Sequence, residues 1–408
     1  MAKKEEKAPK TPRKVDELGD PTQGDVDRIL RDLKNKFNKD KGDGDAIAWN
    51  LAIDGDNPTE CKEFISTGST LLDYTISNRR NGGVPVGKIT EIAGEESSGK
   101  SLICAHLAAN VQKHGGFVVY IDTENAYNPD FAQRIGVDNR RVLYMQPGTI
   151  ENCFEALEQS ILSIRGKNTK AMFLIIWDSI AATPCQAEIE GDYDPNSRIG
   201  LMAKAMAKGM RKLTDVLGKD RVALVFTNHL KVKIGVMYGD PWTTPGGKAV
   251  PYHSSVRIRL TSSTKLKDPK TGQVYAIQTS GKAYKTRLGP PHRSCKFQIQ
   301  FATGIDDIGS WRDALHEVKE IAKANGFMIM NNVPGPDVID EKTGEVTAPI
   351  VEELRFRESA WRELVETRSH FRGHILDLLE KHFVVKYDKA TPVDHEGEIE
   401  VESFEGEE

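Results

Sequence analysis

The sequence lacks long hydrophobic runs, paired-cysteine motifs and any surplus of basic residues. Its longest uninterrupted apolar stretch, from Ala171 to Trp177, is too short to cross a bilayer, and no apolar segment near the start has the length that a signal peptide needs. The five cysteines are scattered without CxxC spacing, which is typical of free thiols in a reducing compartment. We therefore expect a soluble cytoplasmic protein with no membrane partner.

Charge is balanced over the whole chain but not along it. Lys and Arg number 56 against 60 Asp and Glu, a formal net charge of −4 that by itself argues against a strongly basic nucleic-acid binder. Residues 1–14 nevertheless carry six basic residues and two glutamates, whereas 394–408 carry eight acidic residues and no Lys or Arg. Because both ends lack apolar periodicity, we expect a disordered basic tail over 1–24 and a disordered acidic tail over 389–408.

Apolar periodicity divides the rest of the chain. Val26, Ile29, Leu30, Leu33 and Phe37 form one stripe of an amphipathic helix, and a polar linker follows to residue 63. The stripe must be buried on its own core or on a neighbouring subunit, and periodicity favours neither. From 64 to 304, apolar strands alternate with helices, which predicts an α/β fold with a mostly parallel sheet covered on both faces. The strands VRIRLTS, QVYAIQT, KAYKTRL and KFQIQF then predict an antiparallel extension.

The pattern changes again after Gly304. Trp311, Leu315, Val318 and Ile321 predict a helix that ends near Gly326, and apolar positions from 361 to 379 predict a second helix. The polar stretch PGPDVIDEKTGEVTAP separates the two. We expect a small α+β C-terminal domain over 305–388.

A phosphate-binding loop is the most specific motif. The segment GEESSGKS matches GxxxxGK[ST] directly after the strand KITEIAG and directly before a helix. Backbone N–H groups of such a loop surround phosphate oxygens, the lysine reaches the β/γ-phosphates and the hydroxyl binds Mg²⁺. The predicted nucleotide-binding residues are Gly94, Glu95, Glu96, Ser97, Ser98, Gly99, Lys100, Ser101 and Leu102.

Two acidic residues follow strands whose carboxyl ends should lie beside this loop. Asp178 ends the strand AMFLIIWD and is the candidate acid on the metal side. Glu124 follows the strand FVVYIDT and is the candidate for polarising the attacking water. Asp122, at the end of the same strand, ranks second for that role.

These segments closely resemble the bacterial RecA family of DNA recombinases over approximately residues 25–304. The matching segments are ISTGS with its following LD, the phosphate loop, YIDTENAYNPDFAQRIGVD, WDSIAA, AEIEG, GLMAKAMAKGMRKL and KIGVMYGDPWTTPGGKAV. The resemblance implies a RecA-type P-loop ATPase core over 64–304 that uses ATP and Mg²⁺. It also implies helical filaments on single-stranded DNA, docking of the helix that begins at Asp25 on a neighbouring protomer, entry of double-stranded DNA, and strand exchange in recombination and repair.

The resemblance assigns roles to individual residues. Glu124 is then the catalytic carboxylate, while Ser101 binds Mg²⁺ directly and Asp178 binds it through water. Asn128 and Phe131 match adenine contacts, and Asn228 with His229 match the sensor of the γ-phosphate. Lys285 and Arg287 match two cations that reach the γ-phosphate of the adjacent subunit. Such cations act in the manner of arginine fingers, so ATP becomes part of the subunit interface.

Two segments are the predicted DNA-binding loops. The first, 188–200, leads into a helix whose cations lie on one face, and the second, 231–248, mixes glycines and lysines with apolar and aromatic groups. In the family such loops line the filament axis and insert an apolar side chain between base triplets. The predicted DNA-binding residues are Ile199, Gly200, Lys204, Arg211, Lys231, Lys233, Ile234, Gly246 and Gly247.

Several positions depart from the family pattern, namely His229 for glutamine, Asn128 for aspartate, Lys204 for arginine, Trp242 for glutamate and Pro251 for lysine. They indicate a distant, phage-encoded or bacterial member and leave adenine selectivity, ATP coupling and coprotease action open. A ring-forming helicase or branch-migration ATPase and a nucleotide-gated DNA-binding mediator are the alternative functions. Accessory single-stranded-DNA-binding and mediator proteins also stay open. We expect the acidic tail to shield basic surfaces from duplex DNA or to recruit a basic partner.

Overall fold

The structure, a computed structural model, describes residues 22–40, 46–51, 53, 60–165, 171–191, 200–217, 221–233, 239–268, 270–335, 338–339, 346–347 and 351–387. The acidic tail and residues 1–21 of the basic tail lie outside this part of the chain, as do Ile199 and Ile234. The chain divides into two compact units, residues 1–60 and 61–408. The proposed domain boundaries at 63/64 and 304/305 stay predictions.

The first unit contains helix α1 (Gln23–Asn38), which begins two residues before the predicted start. Thr22 caps it, because its hydroxyl accepts from the N–H of Asp25 at 3.3 Å while the Asp25 carboxylate accepts from the N–H of Thr22. The apolar stripe is exposed over Ile29, Leu30, Leu33 and Phe37, by 43–55%. This stripe is the surface that the helical periodicity predicts.

The second unit contains the remaining elements of the described chain. Its helices are α2 (Thr70–Ser77), α3 (Lys100–Lys113), α4 (Pro129–Ile135), α5 (Ile150–Arg165), α6 (Gln186–Glu190), α7 (Leu201–Leu217), α8 (Ala249–His253), α9 (Asp307–Glu317), α10 (Trp361–Thr367) and α11 (Ser369–Phe383). Its strands are β1 (Phe64–Ile65), β2 (Val84–Pro85), β3 (Ile89–Gly94), β4 (Phe117–Asp122), β5 (Val142–Met145), β6 (Phe173–Asp178), β7 (Val222–His229), β8 (Lys231–Val232), β9 (Trp242–Thr243), β10 (Val256–Lys267), β11 (Val274–Thr286), β12 (Arg293–Gln300), β13 (Gly304–Asp306), β14 (Ala322–Ala324), β15 (Phe327–Pro334), β16 (Val338–Ile339), β17 (Val346–Thr347) and β18 (Val351–Phe356).

The central sheet confirms the α/β expectation. Nine of the described strands form it in the order β13-β12-β11-β10-β3-β7-β6-β4-β5, parallel from β10 to β5 and antiparallel from β10 to β13. Strand β6 is buried on both faces, since Leu174 and Ile176 belong to one hydrophobic cluster together with α3, while Ile175 and Trp177 belong to a second cluster together with α5 and α7. Its continuous apolar sequence follows from this double burial.

The antiparallel extension differs from the prediction at one point. QVYAIQT and KAYKTRL are two halves of one strand, β11. Gly281 lies inside it, where an added Cβ would stand 2.9 Å from Leu72 Cδ1 of α2. The glycine therefore accommodates close helix packing and does not end the strand.

The C-terminal helices also differ from the prediction. Helix α9 ends at Glu317, well before Gly326, because residues 322–334 form a hairpin through Asn325 and Gly326, both at positive φ. The second predicted helix is two, α10 and α11, separated at the extended residue Arg368. Buried Trp361 and Ile375 belong to the same hydrophobic cluster as Ile103 of α3.

Two further sequence expectations concern cysteines and membranes. All five cysteines are buried and unpaired. None of the helices in the described ranges combines the length and apolarity that a bilayer-spanning segment requires.

His106 of α3 contacts β13, the edge strand of the central sheet. The His106 Nε2 atom accepts a hydrogen bond from the backbone N–H of Ile305 at 3.0 Å. The imidazole lies against Gly68 and Gly304, where an added Cβ would come within 2.8 and 2.5 Å of the ring. Burial lowers the pKa of His106 to about 4.

This arrangement predicts an acid-sensitive contact. The pKa of His106 in the folded chain lies below its ordinary value, so its contribution to stability is complete at neutral pH and is lost as pH falls from 6.5 toward 4. The variant His106→Gln keeps an acceptor but cannot titrate. We expect its free energy of unfolding to fall by about 2–3 kcal/mol less than that of the parental protein over that pH range. Urea unfolding at a series of pH values measures the difference.

The comparison must be a difference between the two proteins. Burial raises the pKa of Asp73 to about 7 and of Asp307 to about 6, so their contributions are lost as pH rises and oppose that of His106. They are common to both proteins and cancel. Parallel pH profiles for parent and variant would contradict the role of His106.

Candidate functional site

The carboxyl ends of four parallel strands meet at one edge of the sheet. Gly94 of β3 pairs with His229 of β7, and Asp122 of β4 pairs with Asp178 of β6. The phosphate loop, both acidic candidates and the sensor pair therefore share this edge, as expected for a parallel sheet.

The phosphate loop, residues 94–101, runs from the last residue of β3 into the start of α3. Within it Gly99 has φ 100° and caps α3, and Ser97 has φ 58°. Lys100 lies inside the loop, since its Nζ donates to the carbonyl oxygens of Gly94 at 3.1 Å and Glu95 at 2.8 Å. Burial lowers the pKa of Lys100, and nearby Glu124 and Asp178 partly offset the effect. The ammonium group and the N-terminus of α3 thus converge on a site for phosphate.

Asp178 accepts hydrogen bonds from the hydroxyl groups of three side chains, each on a different helix or strand. Its Oδ2 atom accepts from Ser101 Oγ and from Tyr120 Oη, each at 2.8 Å, and its Oδ1 atom accepts from Thr227 Oγ1. Sequence reasoning missed Tyr120 and Thr227, although both precede the ends of the strands that carry the site. Carboxylate and hydroxyl oxygens are the ligands that Mg²⁺ prefers, so Ser101 and Asp178 fit a magnesium ion.

Glu124 lies between Ser179 and His229. The Ser179 hydroxyl donates to Glu124 Oε1, and His229 Nε2 lies 2.9 Å from the same oxygen. Burial raises the pKa of Glu124, but these hydrogen bonds and the charge of Lys100 outweigh it, so the pKa lies below its ordinary value. A carboxylate that stays ionised can orient a water molecule.

Asp122, the second candidate for that role, is occupied by the backbone. Its carboxylate accepts from the N–H groups of Glu124, Ala126 and Tyr127 at 2.9–3.0 Å, and from the Tyr144 hydroxyl at 3.0 Å. The side chain is buried. Asp122 therefore shapes the turn that carries Glu124.

The two adenine candidates lie at the start of α4. The Asn128 side chain caps this helix by accepting from the N–H of Phe131 at 2.9 Å, and Phe131 packs partly against the core. Sequence reasoning did not single out one further exposed aromatic residue. Phe301, 53% exposed, lies two residues after Ile299, which borders Gly99.

Of the two cations predicted to act on an adjacent subunit, Lys285 lies on β11 and Arg287 directly follows this strand. Lys285 Nζ donates to the carbonyl oxygens of Pro251 at 2.6 Å and Tyr252 at 3.2 Å in α8, and Arg287 is exposed. Burial lowers the pKa of Lys285, and Arg287 and Arg257 add to the effect. Within the described part of the chain, neither cation bonds to its own phosphate loop.

The described DNA-binding candidates form two groups that meet. Gly200, Lys204 and Arg211 lie at the start of α7 and along it, and both cations are exposed. An added Cβ at Gly247 would stand 2.8 Å from Ala203 of α7, so the 245–248 segment packs directly beside Lys204. Gly246 and Gly247 both have positive φ. Lys231 and Lys233 are also exposed and lie at the N-terminal end of the second DNA-binding segment.

Comparison with known proteins follows the same segments. A family model described as the RecA N-terminal domain matches residues 30–306. Protein RecA of Arthrospira platensis is 35% identical over 305 residues, 75% of this chain and 79% of the relative. Protein RecA of Bacteroides thetaiotaomicron is 37% identical over 305 residues, 75% of this chain and 87% of the relative. Protein RecA of Trichodesmium erythraeum is 36% identical over 301 residues, 74% and 77% of the two chains.

Neutralisation of the two neighbouring carboxylates should change the free energy of unfolding by different amounts. Asp122→Asn sets an amide group against backbone donors, so we expect it to lower the free energy of unfolding by about 2–3 kcal/mol. Glu124→Gln keeps an acceptor at a partly exposed position and should change it by less than about 1 kcal/mol. Urea denaturation of both variants tests the assignment, and equal losses would contradict it.

Proposed function

The chain belongs to the RecA family of ATP-dependent DNA recombinases, and we propose that its described residues divide the work of ATP hydrolysis and strand exchange as follows. The observation that carries the proposal is the arrangement of Lys100, Ser101, Asp178 and Glu124 at one strand edge. His229 connects this edge to the segment that leads into the second DNA-binding loop. We propose ATP as the nucleotide, Mg²⁺ as the metal and the cytoplasm as the site of action.

Hydrolysis uses the residues around the phosphate loop. Lys100 and the loop N–H groups bind the phosphates, Ser101 and Asp178 hold Mg²⁺, and Glu124 orients the attacking water. Magnesium, when bound, neutralises charge on the phosphate oxygens. His229 competes for Glu124 with that water, so contact between His229 and the γ-phosphate would free the carboxylate. Asn128 and Phe131 line the adenine side.

Lys285 and Arg287 act on the nucleotide of the adjacent protomer. Their support is the exposure of Arg287 and the position of Lys285 at the carbonyl end of α8, with no bond to the phosphate loop among the described residues. A cation supplied from a second subunit stabilises charge on the transferring phosphoryl group. Hydrolysis then weakens the interface, which makes filament geometry depend on the nucleotide.

Filament growth joins the α1 stripe of one copy to the sheet edge of another. Strand β5 pairs only with β4 among the described strands, and an apolar groove of about 550 Å³ lies beside it. Phe117 and Leu143 are 42% and 57% exposed there. Exposed apolar surface on both α1 and this groove supports their association between copies.

Single-stranded DNA lies along α7 and the second DNA-binding segment. Lys204, Arg211, Lys231 and Lys233 supply charge for the phosphates, and Gly200, Gly246 and Gly247 allow close approach of the backbone. Ile199 and Ile234 separate base triplets. Double-stranded DNA enters the same filament, and base pairing tests homology, so the loops need no base-specific contacts. Single-stranded-DNA-binding and mediator proteins are proposed accessory partners.

A mixing experiment tests both the catalytic carboxylate and the trans cations. Glu124→Gln and Arg287→Ala should each reduce ATP hydrolysis on single-stranded DNA by about 100-fold, because each removes a group used in the transition state. In an equimolar mixture, about a quarter of head-to-tail interfaces pair an intact Glu124 with an intact Arg287. We therefore expect the mixture to recover activity to about a quarter of the parental rate.

The controls separate the two claims. A mixture that stays as inactive as either variant, while electron microscopy shows mixed filaments, would contradict action in trans. A Glu124→Gln protein with the parental rate would contradict the catalytic assignment. Rings in place of helical filaments would favour the helicase alternative.

A further inference from the structure

Two arginines of β10 hold the base of the second DNA-binding segment. Arg257 Nη2 donates to Thr244 Oγ1 at 3.2 Å, and Arg259 Nη1 donates to Asp240 Oδ1 at 3.1 Å. A second bond joins Arg259 Nη2 to Asp240 Oδ2. The Arg259 guanidinium therefore engages one carboxylate with two parallel bonds, the geometry it also adopts with a phosphate.

Tyr284 contacts both guanidinium groups. It is the extra residue of a β-bulge in β11, since Arg257 pairs with Lys285 and Ile258 with Ala283. Its ring centre is 4.5 Å from Arg257 Cζ and 5.0 Å from Arg259 Cζ. The bulge thus aims an aromatic face at both cations and holds their orientation.

Arg257 is connected to Asn228, a residue of the proposed γ-phosphate sensor. Arg257 Nε donates to Glu91, whose side chain is fully buried, and Asn228 Nδ2 donates to the other oxygen of Glu91 at 3.0 Å. Asn228 precedes His229, the partner of Glu124. Because a fully buried carboxylate cannot give up its partners without a large penalty, Arg257 is the fixed end of this network.

Arg259, unlike Arg257, can exchange its carboxylate partner for another anion. The Asp240 side chain is 52% exposed, whereas that of Arg259 is only 15% exposed. Hydrogen bonding from Arg259 lowers the pKa of Asp240, which stays a charged competitor for the guanidinium. An ion pair open to water on one side is weak and screened by salt, so another anion can replace the carboxylate.

The surroundings of Arg259 suit a phosphate group. A cavity of about 410 Å³ lies there, and its lining includes Lys233, Lys248 and Trp242. Within the chain as described, the buried Arg259 Nε has no hydrogen-bond partner. Lys233 Nζ donates to the backbone oxygen of Asp240 at 3.2 Å, so a second cation already lies at this position. An anion here would meet the guanidinium and ammonium groups of the lining residues and an aromatic group for base stacking.

We propose that Arg259 binds a DNA backbone phosphate and that Asp240 occupies Arg259 until DNA displaces it. Asp240 then acts as an internal substitute for the phosphate and masks the site in the DNA-free protein. This inference rests on the proposed function, because it adds one residue to the DNA-binding surface of the recombinase. Arg259 stood outside the predicted DNA-binding residues because its role depends on contacts between distant segments.

A double-mutant cycle tests the mask. Fluorescence anisotropy with labelled oligothymidylate, without nucleotide and at low salt, should give about 5- to 10-fold tighter binding for Asp240→Asn than for the parental protein. In an Arg259→Gln background the same substitution should change affinity by less than about twofold, since no guanidinium remains to be released. Arg259→Lys, which keeps the charge but loses the fork, should give an intermediate effect.

Controls separate unmasking from general electrostatics. Glu155→Gln removes the same charge from an exposed position on α5 and should leave affinity unchanged. An equal gain from Asp240→Asn in both backgrounds would mean that only net charge matters, which overturns the proposal. No gain in the Arg259 background would overturn it as well.

A nucleotide arm distinguishes the source of the phosphate. Binding of a fluorescent ATP analogue should be the same for Asp240→Asn and the parental protein. Tighter nucleotide binding with unchanged DNA affinity would assign the phosphate to ATP and overturn the DNA site. If the parental protein binds no single-stranded DNA in any nucleotide state, the proposed function itself fails, whereas normal parental binding with an inert Asp240→Asn variant overturns this inference alone.

Discussion

The rest of the molecule depends on one constraint, the register that places the carboxyl ends of four parallel strands side by side. The register pairs Gly94 with His229 and Asp122 with Asp178, so the ends of β3, β7, β4 and β6 lie side by side. Strand β3 then leads into the phosphate loop at this edge, and the other three strands place polar side chains beside it, so no long loop is needed to gather them. The apolar interior of these strands is buried on both faces, which keeps the register from slipping.

Shared carboxylates connect this edge to distant surfaces. Asp178 collects hydroxyl groups from α3, β4 and β7, and buried Glu91 joins β3, β7 and β10 through Asn228 and Arg257. Because each carboxylate is buried, the loss of any hydrogen-bond partner carries a large free-energy penalty. Displacement of one helix or strand therefore displaces the others that share the carboxylate. We propose that ATP-dependent DNA binding relies on this property, because three consecutive side-chain contacts connect Asn228 to the DNA-binding segment through Glu91 and Arg257.

Sequence patterns predicted the fold well where the signal was local. Uninterrupted apolar runs identified the parallel strands, and the phosphate loop was recognisable because its glycines, lysine and serine have fixed spacing. Prediction failed where the deciding contact was distant. The two strands predicted on either side of Gly281 are one strand, in which the glycine leaves room for Leu72 of α2. The helix expected to end near Gly326 is shorter, because a hairpin turns at Asn325. Tyr120, Thr227 and Arg259 were missed for the same reason, since their partners lie on other elements of the fold.

Strand exchange with homologous and heterologous duplexes tests the central claim most directly. With single-stranded DNA, ATP and Mg²⁺, the parental protein should form joint molecules and displaced strands from a homologous duplex and none from a heterologous one. Omitting ATP should remove the products, because we propose that the nucleotide lies at the interface between protomers. Products that form irrespective of homology, or DNA-stimulated ATP hydrolysis without any exchange, would contradict the account.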